Sequence, residues 1–415
     1  MASNQPKHGT QSDKKRFFDK KFILTIVFIA IVSITFNFIS VKHTQDNKYN
    51  IISETDRTCQ INISVEQPIF SMNIFELVKH IKRNSKELII PEKVDINGKE
   101  YTVVKITGDT EKKEFESVAL PNSLIEIGDY AFSYCINLKE VNIPNSVKSI
   151  GFEAFRGCSS LQTVNIPNSV ESIEFEAFEG CSSLQTVNIP NSVKSIGDWA
   201  FSGCSSLQTV NIPNSVESIV DGAFKDCSSL QIVNIPNTVK SIGNWAFSGC
   251  SNLQTIDIPD SVERIGGDAF SYCRNLKEVI IPNSVESIGS AAFNDCESLK
   301  EINIPNSVKI IKNVTFSYCY SLQTIKIPDS VERIGEWAFH CCTNLQTIDI
   351  PNSVKSIERY TFKDCTSLKE VIIPNSVESI GDGAFLNCTN LQTIIPNSVK
   401  RIGNRAFKGT PLEKK

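Results

Sequence analysis

This sequence has few histidines, no excess of positive charge and none of the common catalytic or phosphate-binding motifs. Its 415 residues include only four histidines, and its net charge is −4. Of the histidines, only His340 lies in the repeated part of the chain. No nucleophile elbow, phosphate-binding loop or H-E-x-x-H segment occurs. We therefore predict no catalysis, no nucleic-acid partner, no cofactor and no metal site.

Long uncharged stretches are also rare, and the sequence has one, from Phe22 to Val41. As a helix, such a stretch would be about 30 Å long, enough to cross the hydrocarbon core of a bilayer. Residues 1–21 contain six Lys or Arg against two Asp, a net charge of +4. The positive-inside rule then predicts a cytoplasmic basic tail at 1–21, a transmembrane signal anchor at 22–41, and the repeats outside the cell or in a lumen.

A cleaved signal peptide is the alternative interpretation of this apolar stretch. Signal peptides usually have apolar runs of about 7–15 residues followed by a small-x-small cleavage site. This run is longer and ends Phe38-Ile39-Ser40-Val41, without such a site. An uncleaved anchor is favoured, and both interpretations place the repeats on the same side of the membrane.

The dominant feature is a sequence motif that occurs thirteen times between residues 119 and 407, with the pattern I-P-N-S-V-x-S-I-G-x-x-A-F-x-x-C-x-S-L-x-x-V-x. Its period is 23 residues, from Pro121 to Pro374, and then one unit of 22 ends at Pro396. A fixed period in this range indicates a solenoid, in which stacked units bury a common core. The solenoid is predicted to span 119–412 and to end where Leu391-Gln-Thr-Ile-Ile-Pro396 has lost a strand residue.

Within a unit, Leu161, Val164 and Ile166 are predicted to point inward from a short strand that Pro167 ends. The outward positions are mostly Asn and Thr, which predicts a polar concave face. Phe178 and its equivalents should form a continuous aromatic spine with the spacing of parallel strands, about 4.8 Å.

The units Leu161–Cys181 and Leu184–Cys204 resemble the BspA-type, or treponemal-type, leucine-rich repeat. The resemblance covers about 290 residues. It implies a mainly β leucine-rich-repeat solenoid with parallel strands on the concave face. The family's better-known members are surface proteins, some implicated in adhesion to host or matrix proteins, and the resemblance implies a role of this kind and nothing sharper.

Twelve of the fourteen cysteines, from Cys135 to Cys388, occupy one position per unit. Their stacked geometry is poor for disulfides, so we predict a ladder of buried thiols. Cys59 and Cys341 lie outside it. Cys341 falls in a column predicted to be exposed, which makes it the candidate reactive or paired thiol.

One column of charged residues alternates in sign along the array, as in Lys148, Glu171 and Lys194. Alternation avoids like-charge stacking and would allow a ladder of surface ion pairs, each worth about 0–1 kcal/mol. Duplication of a two-unit block would give the same pattern, and the two explanations are compatible.

The segment before the array does not repeat. Residues 42–58 are polar and are predicted to form a stalk, and residues 59–118 a capping region for the open end of the solenoid. Within the cap, a short amphipathic helix is expected near Asn73–Arg83 and a strand pair around Asn97-Gly98.

A column of bulky residues supplies the candidate partner contacts, because Trp and Tyr dominate interface hot spots. They are Tyr130, Trp199, Trp245, Trp337 and Tyr360. The same residues could instead cover the edge of the core. Three sequons, at Asn62, Asn313 and Asn387, are candidate N-glycosylation sites.

These observations predict a membrane-anchored surface or luminal protein that binds proteins or glycans, for instance in adhesion. A structural or spacer solenoid without a dedicated ligand is the alternative, because the faces of the array are monotonous.

Overall fold

The 23-residue units build a parallel β-solenoid of about thirteen turns in the computed structural model, which describes residues 49–53, 58–63, 86–96, 99–108 and 115–413. Each complete turn contributes one three-residue strand and one two-residue strand, and neighbouring turns pair in parallel. Within the described residues there is no helix.

The three-residue strands form what we call the triplet series. Their middle residue is buried and their two outer residues face solvent, except that the outer residues of the first are only half-exposed. Register follows the sequence period, so that Val164 lies opposite Val187 and Asn165 opposite Asn188. The series comprises β6 Ser117–Ala119, β8 Glu140–Asn142, β10 Thr163–Asn165, β12 Thr186–Asn188, β14 Thr209–Asn211, β16 Ile232–Asn234, β18 Thr255–Asp257, β20 Glu278–Ile280, β22 Glu301–Asn303, β24 Thr324–Lys326, β26 Thr347–Asp349 and β28 Glu370–Ile372.

The two-residue strands form a second series, the doublet series, which the sequence interpretation did not anticipate as a sheet. In most turns it is the Ser-Ile pair, and in all but the last strand its second residue is buried. The series comprises β7 Glu126–Ile127, β9 Ser149–Ile150, β11 Ser172–Ile173, β13 Ser195–Ile196, β15 Ser218–Ile219, β17 Ser241–Ile242, β19 Arg264–Ile265, β21 Ser287–Ile288, β23 Ile310–Ile311, β25 Arg333–Ile334, β27 Ser356–Ile357, β29 Ser379–Ile380 and β30 Arg401–Ile402.

Both series continue into the segment before the repeats. That segment contains β1 Tyr49–Ser53, β2 Thr58–Ile63, β3 Glu87–Ile89, β4 Lys93–Ile96 and β5 Lys99–Gly108. Strand β3 pairs with β6, and β5 pairs with β7. The predicted strand pair is confirmed, because β4 and β5 are antiparallel with Ile96 opposite Lys99. Strand β1, within the predicted stalk, pairs antiparallel with β2.

The core is one continuous column of apolar side chains. In the turn that contains β10, the buried apolar residues include Leu161, Val164, Ile166, Val170, Ile173, Ala177, Phe178 and Cys181. The predicted aromatic spine is confirmed from Phe132 to Phe407, with ring centroids 5.1–5.8 Å apart. These spacings exceed the strand spacing because the rings are offset as they stack.

The predicted thiol ladder is also confirmed, with all twelve of its cysteines buried. The structure adds a partner for the thiols that the sequence did not indicate. Cys250 Sγ donates a hydrogen bond to the carbonyl oxygen of Phe224, 3.3 Å away in the preceding turn, and the same bond recurs from Cys158 to Cys388. Burial raises the pKa of these thiols, so they remain protonated donors.

The unit of 22 residues breaks the triplet series, as predicted. Residues 391–396 form no strand, and Ile394 is 87% exposed. Strand β28 is therefore the last described member of the triplet series, whereas the doublet series continues for one more turn to β30.

The predicted basic tail 1–21, membrane segment 22–41 and amphipathic helix near 73–83 lie outside the described residues. Where the structure does describe the chain, none of it is helical and able to cross a membrane.

Candidate functional site

A third wall of the solenoid links the doublet strand of each turn to its buried cysteine. We call it the turn wall; in one turn it spans residues 197–204. Its backbone is bonded to the next turn three times, through the amides of Trp199, Phe201 and Gly203. The acceptors are the carbonyls of residues 221, 223 and 225, at 2.7–2.9 Å.

Two positions in each turn wall adopt left-handed backbone conformation. The first recurs from Tyr130 to Arg405 and the second from Tyr134 to Gly409, four residues further along each turn. Only glycine enters this region without steric cost. Glycine occupies the first column at Gly222 and Gly383, so the bulky residues elsewhere in that column adopt a backbone conformation that only glycine adopts without strain.

All five predicted contact residues lie in the first left-handed column, which we call the aromatic column. The φ angles are 56° at Tyr130, 61° at Trp199, 53° at Trp245, 60° at Trp337 and 56° at Tyr360. Trp245 is 40% exposed, and the other four are half-buried. The rings thus lie along the turn wall, partly packed and partly open to solvent.

Glycine at position 222 allows two of these rings to meet. Trp199 and Trp245 belong to turns that are not adjacent, yet their ring centroids are 6.0 Å apart. A Cβ added to Gly222 would lie 2.4 Å from Cε3 of Trp199. The glycine, which interrupts the column in sequence, provides the space in which the Trp199 ring lies.

We expect Gly222→Ala to separate the two tryptophans, because the added methyl group needs the space of the Trp199 ring. The measurement is the exciton couplet of the stacked indoles in circular dichroism, which should be lost or strongly reduced. Gly180→Ala is the matched control, since Gly180 has φ of +70° but its added Cβ would meet nothing closer than 3.6 Å. If both variants keep the couplet, Gly222 is not required for the Trp199 and Trp245 rings to stack.

A second aromatic group surrounds His340. Trp337 stacks on Tyr360 with centroids 4.3 Å apart. The rings of Tyr318 and Trp337 each make a T-shaped contact with the imidazole, with centroids 4.8 Å apart. Lys363 Nζ lies 5.7 Å from the Trp337 ring centroid. Cations also lie over other rings of the aromatic column, with Lys225 Nζ 5.1 Å from the Trp199 centroid.

The imidazole of His340 is part of a polar cluster formed across two turns. His340 Nε2 lies 3.3 Å from Cys341 Sγ and 3.4 Å from Asp364 Oδ2. Lys363 Nζ is 3.2 Å from the same nitrogen and forms an ion pair with Asp364 Oδ2. Burial and the Lys363 ammonium lower the pKa of His340, which favours its neutral form.

A separate ionic cluster lies on the turn wall nearer the N-terminus. Arg156 is within 2.5–3.0 Å of Glu153, Glu176 and Glu179, so one guanidinium faces three carboxylates. Burial, a hydrogen bond with Glu179 and its charge raise the pKa of the Glu176 carboxyl to about 7. Arg156 and Tyr130 complete the charged and titratable surroundings of this carboxyl.

This raised pKa predicts a pH-dependent stability. Between the ordinary value of about 4.5 and about 7, the unfolded chain releases a proton that the folded chain retains. The stabilising contribution of the protonated carboxyl is therefore full below about pH 4.5 and is lost as the pH rises to about 7. We expect Glu176→Gln to flatten this part of the pH profile of the thermal midpoint. Exposed Glu174→Gln should leave the profile unchanged, and equal effects of the two variants would contradict the assignment.

The repeat geometry has a counterpart among known families. The model described as BspA type Leucine rich repeat region (6 copies) matches residues 110–231, 196–322 and 286–414. The chain belongs to this BspA-type family. The solenoid is thus a leucine-rich-repeat fold, as the sequence resemblance implied.

Two solved structures are similar to this BspA-type chain over most of its length. A leucine-rich repeat protein from Bacteroides ovatus is 29% identical, with a TM-score of 0.70, and the match covers 88% of this chain and 99% of that one. A leucine rich cell surface protein from Faecalibacterium prausnitzii is 28% identical, with a TM-score of 0.52, and the match covers 89% and 93%. No curated protein matches the chain.

The remaining predicted site residues of the BspA-type array have defined surroundings. Cys341, expected to be exposed, is half-buried, and burial together with Asp364 raises the pKa of its thiol. Asn313 is exposed, and its side-chain oxygen accepts a hydrogen bond from the Glu336 amide at 3.1 Å. Asn387 is exposed and donates through Nδ2 to Asp364 Oδ1 at 2.8 Å. Asn62 lies in strand β2. Reactivity and glycosylation at these positions stay predictions.

The charge column of the BspA-type repeats is less paired than its alternation suggested. Among its described residues, Lys194 and Glu171 form an ion pair, with Nζ and Oε2 2.9 Å apart. No other pair within that column approaches to 4 Å in the described part of the chain. Alternation here removes repulsion between turns more than it adds salt bridges.

Proposed function

We propose that this protein is a surface or luminal binding protein that holds protein or glycan partners on its aromatic column and performs no catalysis. Leucine-rich-repeat solenoids of this family are generally protein-binding or adhesive and typically non-catalytic. The observation that most supports a dedicated contact surface is the set of partly exposed rings along one column, with Trp199 stacked on Trp245 and Trp337 stacked on Tyr360. Left-handed backbone recurs at this position in every turn, so it belongs to the fold, and the bulky side chains are what distinguish these turns.

The chemistry of these rings suits the partners proposed. Trp and Tyr offer large, rigid surfaces at little cost in side-chain entropy, and they dominate interface hot spots. The exposed ring of Trp245, stacked on Trp199, gives a flat apolar surface for a sugar ring or an apolar side chain. The outward residues of the triplet series, mostly Thr, Asn and Glu, would supply a polar surface for an extended partner.

For the location, we propose that the chain is anchored by residues 22–41, with its N-terminus cytoplasmic and its repeats outside the cell or in a lumen. The uncharged stretch and the basic residues before it support this topology. A further support is that the similar Faecalibacterium prausnitzii protein is described as a cell surface protein.

Cell attachment tests the binding proposal directly. Cells expressing the full chain would be placed on immobilised matrix proteins and on glycan arrays, alongside cells expressing a double Trp199→Ala, Trp245→Ala variant. We expect attachment to fall by at least tenfold in the double variant. Tyr272→Ala is the control, because Tyr272 is 46% exposed but belongs to the second left-handed column.

The outcomes separate the hypotheses. Equal attachment of the wild type and the tryptophan variant would rule out the aromatic column as the contact surface. Absence of attachment to any surface would favour the spacer solenoid. Labelling intact cells with an antibody to the repeats tests the topology independently, and labelling only after permeabilisation would contradict a cell-surface array.

A further inference from the structure

Three side chains of different chemistry converge at one point of the turn wall. His340 and Cys341 are consecutive, and Asp364 follows Cys341 by 23 residues, so it lies in the same column one turn further along. Their ligand atoms all lie within 4.8 Å of one another, close enough to hold a metal ion. Among the described residues, no other group of three or more His, Cys, Asp or Glu side chains meets this criterion. The three side chains lie outside the stacked Trp199 and Trp245 rings.

The distances between these ligand atoms match a tetrahedral zinc site. Zinc bonds of about 2.0 Å to nitrogen or oxygen and about 2.3 Å to sulfur place neighbouring ligand atoms about 3.3–3.6 Å apart. The observed separations are 3.3 Å from Nε2 to Sγ, 3.4 Å from Nε2 to Oδ2 and 3.9 Å from Sγ to Oδ2. A shift of a few tenths of an ångström in Cys341 or Asp364 would complete one face of the tetrahedron.

Two neighbouring turns supply outer contacts of the kind that metal sites use. Ser317 Oγ lies 3.3 Å from His340 Nδ1 and can accept a hydrogen bond from Nδ1–H. In that tautomer Nε2 is unprotonated and free to bind a metal. Asn387 Nδ2 donates to Asp364 Oδ1 at 2.8 Å, which leaves Oδ2 directed at the other two ligands. The orientations of His340 and Asp364 are therefore fixed by hydrogen bonds to the atoms that face away from the proposed metal.

The same geometry argues against a catalytic thiol. In a Cys-His-Asp arrangement, the thiol and the carboxylate bind opposite nitrogens of the imidazole. Here both Cys341 Sγ and Asp364 Oδ2 face Nε2, and Nδ1 is taken by Ser317. Convergence on one nitrogen is typical of groups around a cation and not of a proton relay.

The Lys363 ammonium already places a positive charge between the His340 and Asp364 ligand atoms. It approaches both His340 Nε2 and Asp364 Oδ2. A bound metal would need the same lone pairs, so the ammonium would have to turn away. The Trp337 ring, 5.7 Å from Nζ, offers it another contact.

We propose that His340, Cys341 and Asp364 bind a divalent cation of the zinc class, with solvent as the fourth ligand. Binding releases the thiol proton of Cys341 to solvent. Lys363 is a competing cation that weakens the site. This site does not depend on the proposed adhesive function.

An earlier turn of the array supplies a matched control. Lys225 and Asp226 repeat the Lys363-Asp364 pair six turns before it, and Asp226 also has left-handed backbone. The turn preceding that pair has Ser202 and Gly203 where the candidate site has His340 and Cys341. Asp226→Asn therefore changes the same local structure without touching the three ligands.

The test is titration of the reduced full chain, in detergent micelles, with Co²⁺ followed by competition with Zn²⁺. We expect a sulfur-to-cobalt charge-transfer band, displaced by Zn²⁺, that is lost in Cys341→Ser and weakened at least tenfold in affinity by Asp364→Asn. Asp226→Asn should retain the band, and Lys363→Met should tighten binding about tenfold. The same band in wild type and Cys341→Ser, or no band in the wild type, would overturn the proposal.

Discussion

Replacing Phe247 with alanine is expected to remove about 3–5 kcal/mol of stability and to divide the solenoid at that turn. The ring is fully buried, and it stacks on Phe224 and Phe270 with centroids 5.6 Å away on both sides. Each turn of a solenoid is stabilised mainly by its neighbours, so a cavity in one turn weakens both interfaces. Guanidinium unfolding followed by circular dichroism would measure the loss, and limited proteolysis should cut near residues 237–259.

Phe175→Ala is the matched control for this prediction. Phe175 also stacks on a phenylalanine, Phe152, at 5.3 Å, but it is half-buried and lies outside the spine. Phe175→Ala should lower the free energy of unfolding less than Phe247→Ala does, since Phe175 buries less apolar surface. A loss of stability at Phe175 equal to that at Phe247 would show that the spine has no special role.

Deleting one whole period is expected to be far less damaging than deleting half of one. Removal of residues 259–281 joins Ile258 to Pro282 and restores the Ile-Pro step of every unit. Phe247 then stacks on Phe293, and Lys240 faces Glu286, so packing and charge alternation both survive. The loss should be about 1–3 kcal/mol, the share of 23 residues in an ordinary domain.

Removal of residues 259–270 breaks the register instead. The junction would bring Ser271 to the position of a proline, and the inward residues of the next turn would no longer meet the core. We expect a loss of stability at least twice that of the 23-residue deletion, measured by denaturant unfolding of the two deletion variants, each otherwise complete. Similar losses would mean that the period does not define the folding unit.

Much of the fold was predictable because it depends on residues repeated at one spacing. The inward Val164 and Ile166, the Phe178 spine and the Cys181 ladder each follow from a 23-residue period and ordinary burial. The doublet series was missed because two residues, Ser172 and Ile173, are too few to show strand alternation.

The candidate sites were harder to predict, for two physical reasons. In a sequence, left-handed backbone is normally recognised from a glycine at that position. Trp199 and Val314 have left-handed backbone although neither is glycine. The His340 cluster combines residues 23 apart, and neither half has metal-ligand spacing by itself. Only the stacking of one turn on the next brings Asp364 to the imidazole.

The missing strand in the unit of 22 residues affects how molecules can meet end to end. An open strand edge offers unpaired backbone groups on which a second molecule can add a strand. Beyond β28, Thr393 is buried and donates its hydroxyl to the Val371 carbonyl, which occupies part of that edge. The doublet edge at β30 lies one turn further along, so this end of the described solenoid is stepped. A step of this kind disfavours the growth of filaments from repeats that are otherwise nearly interchangeable.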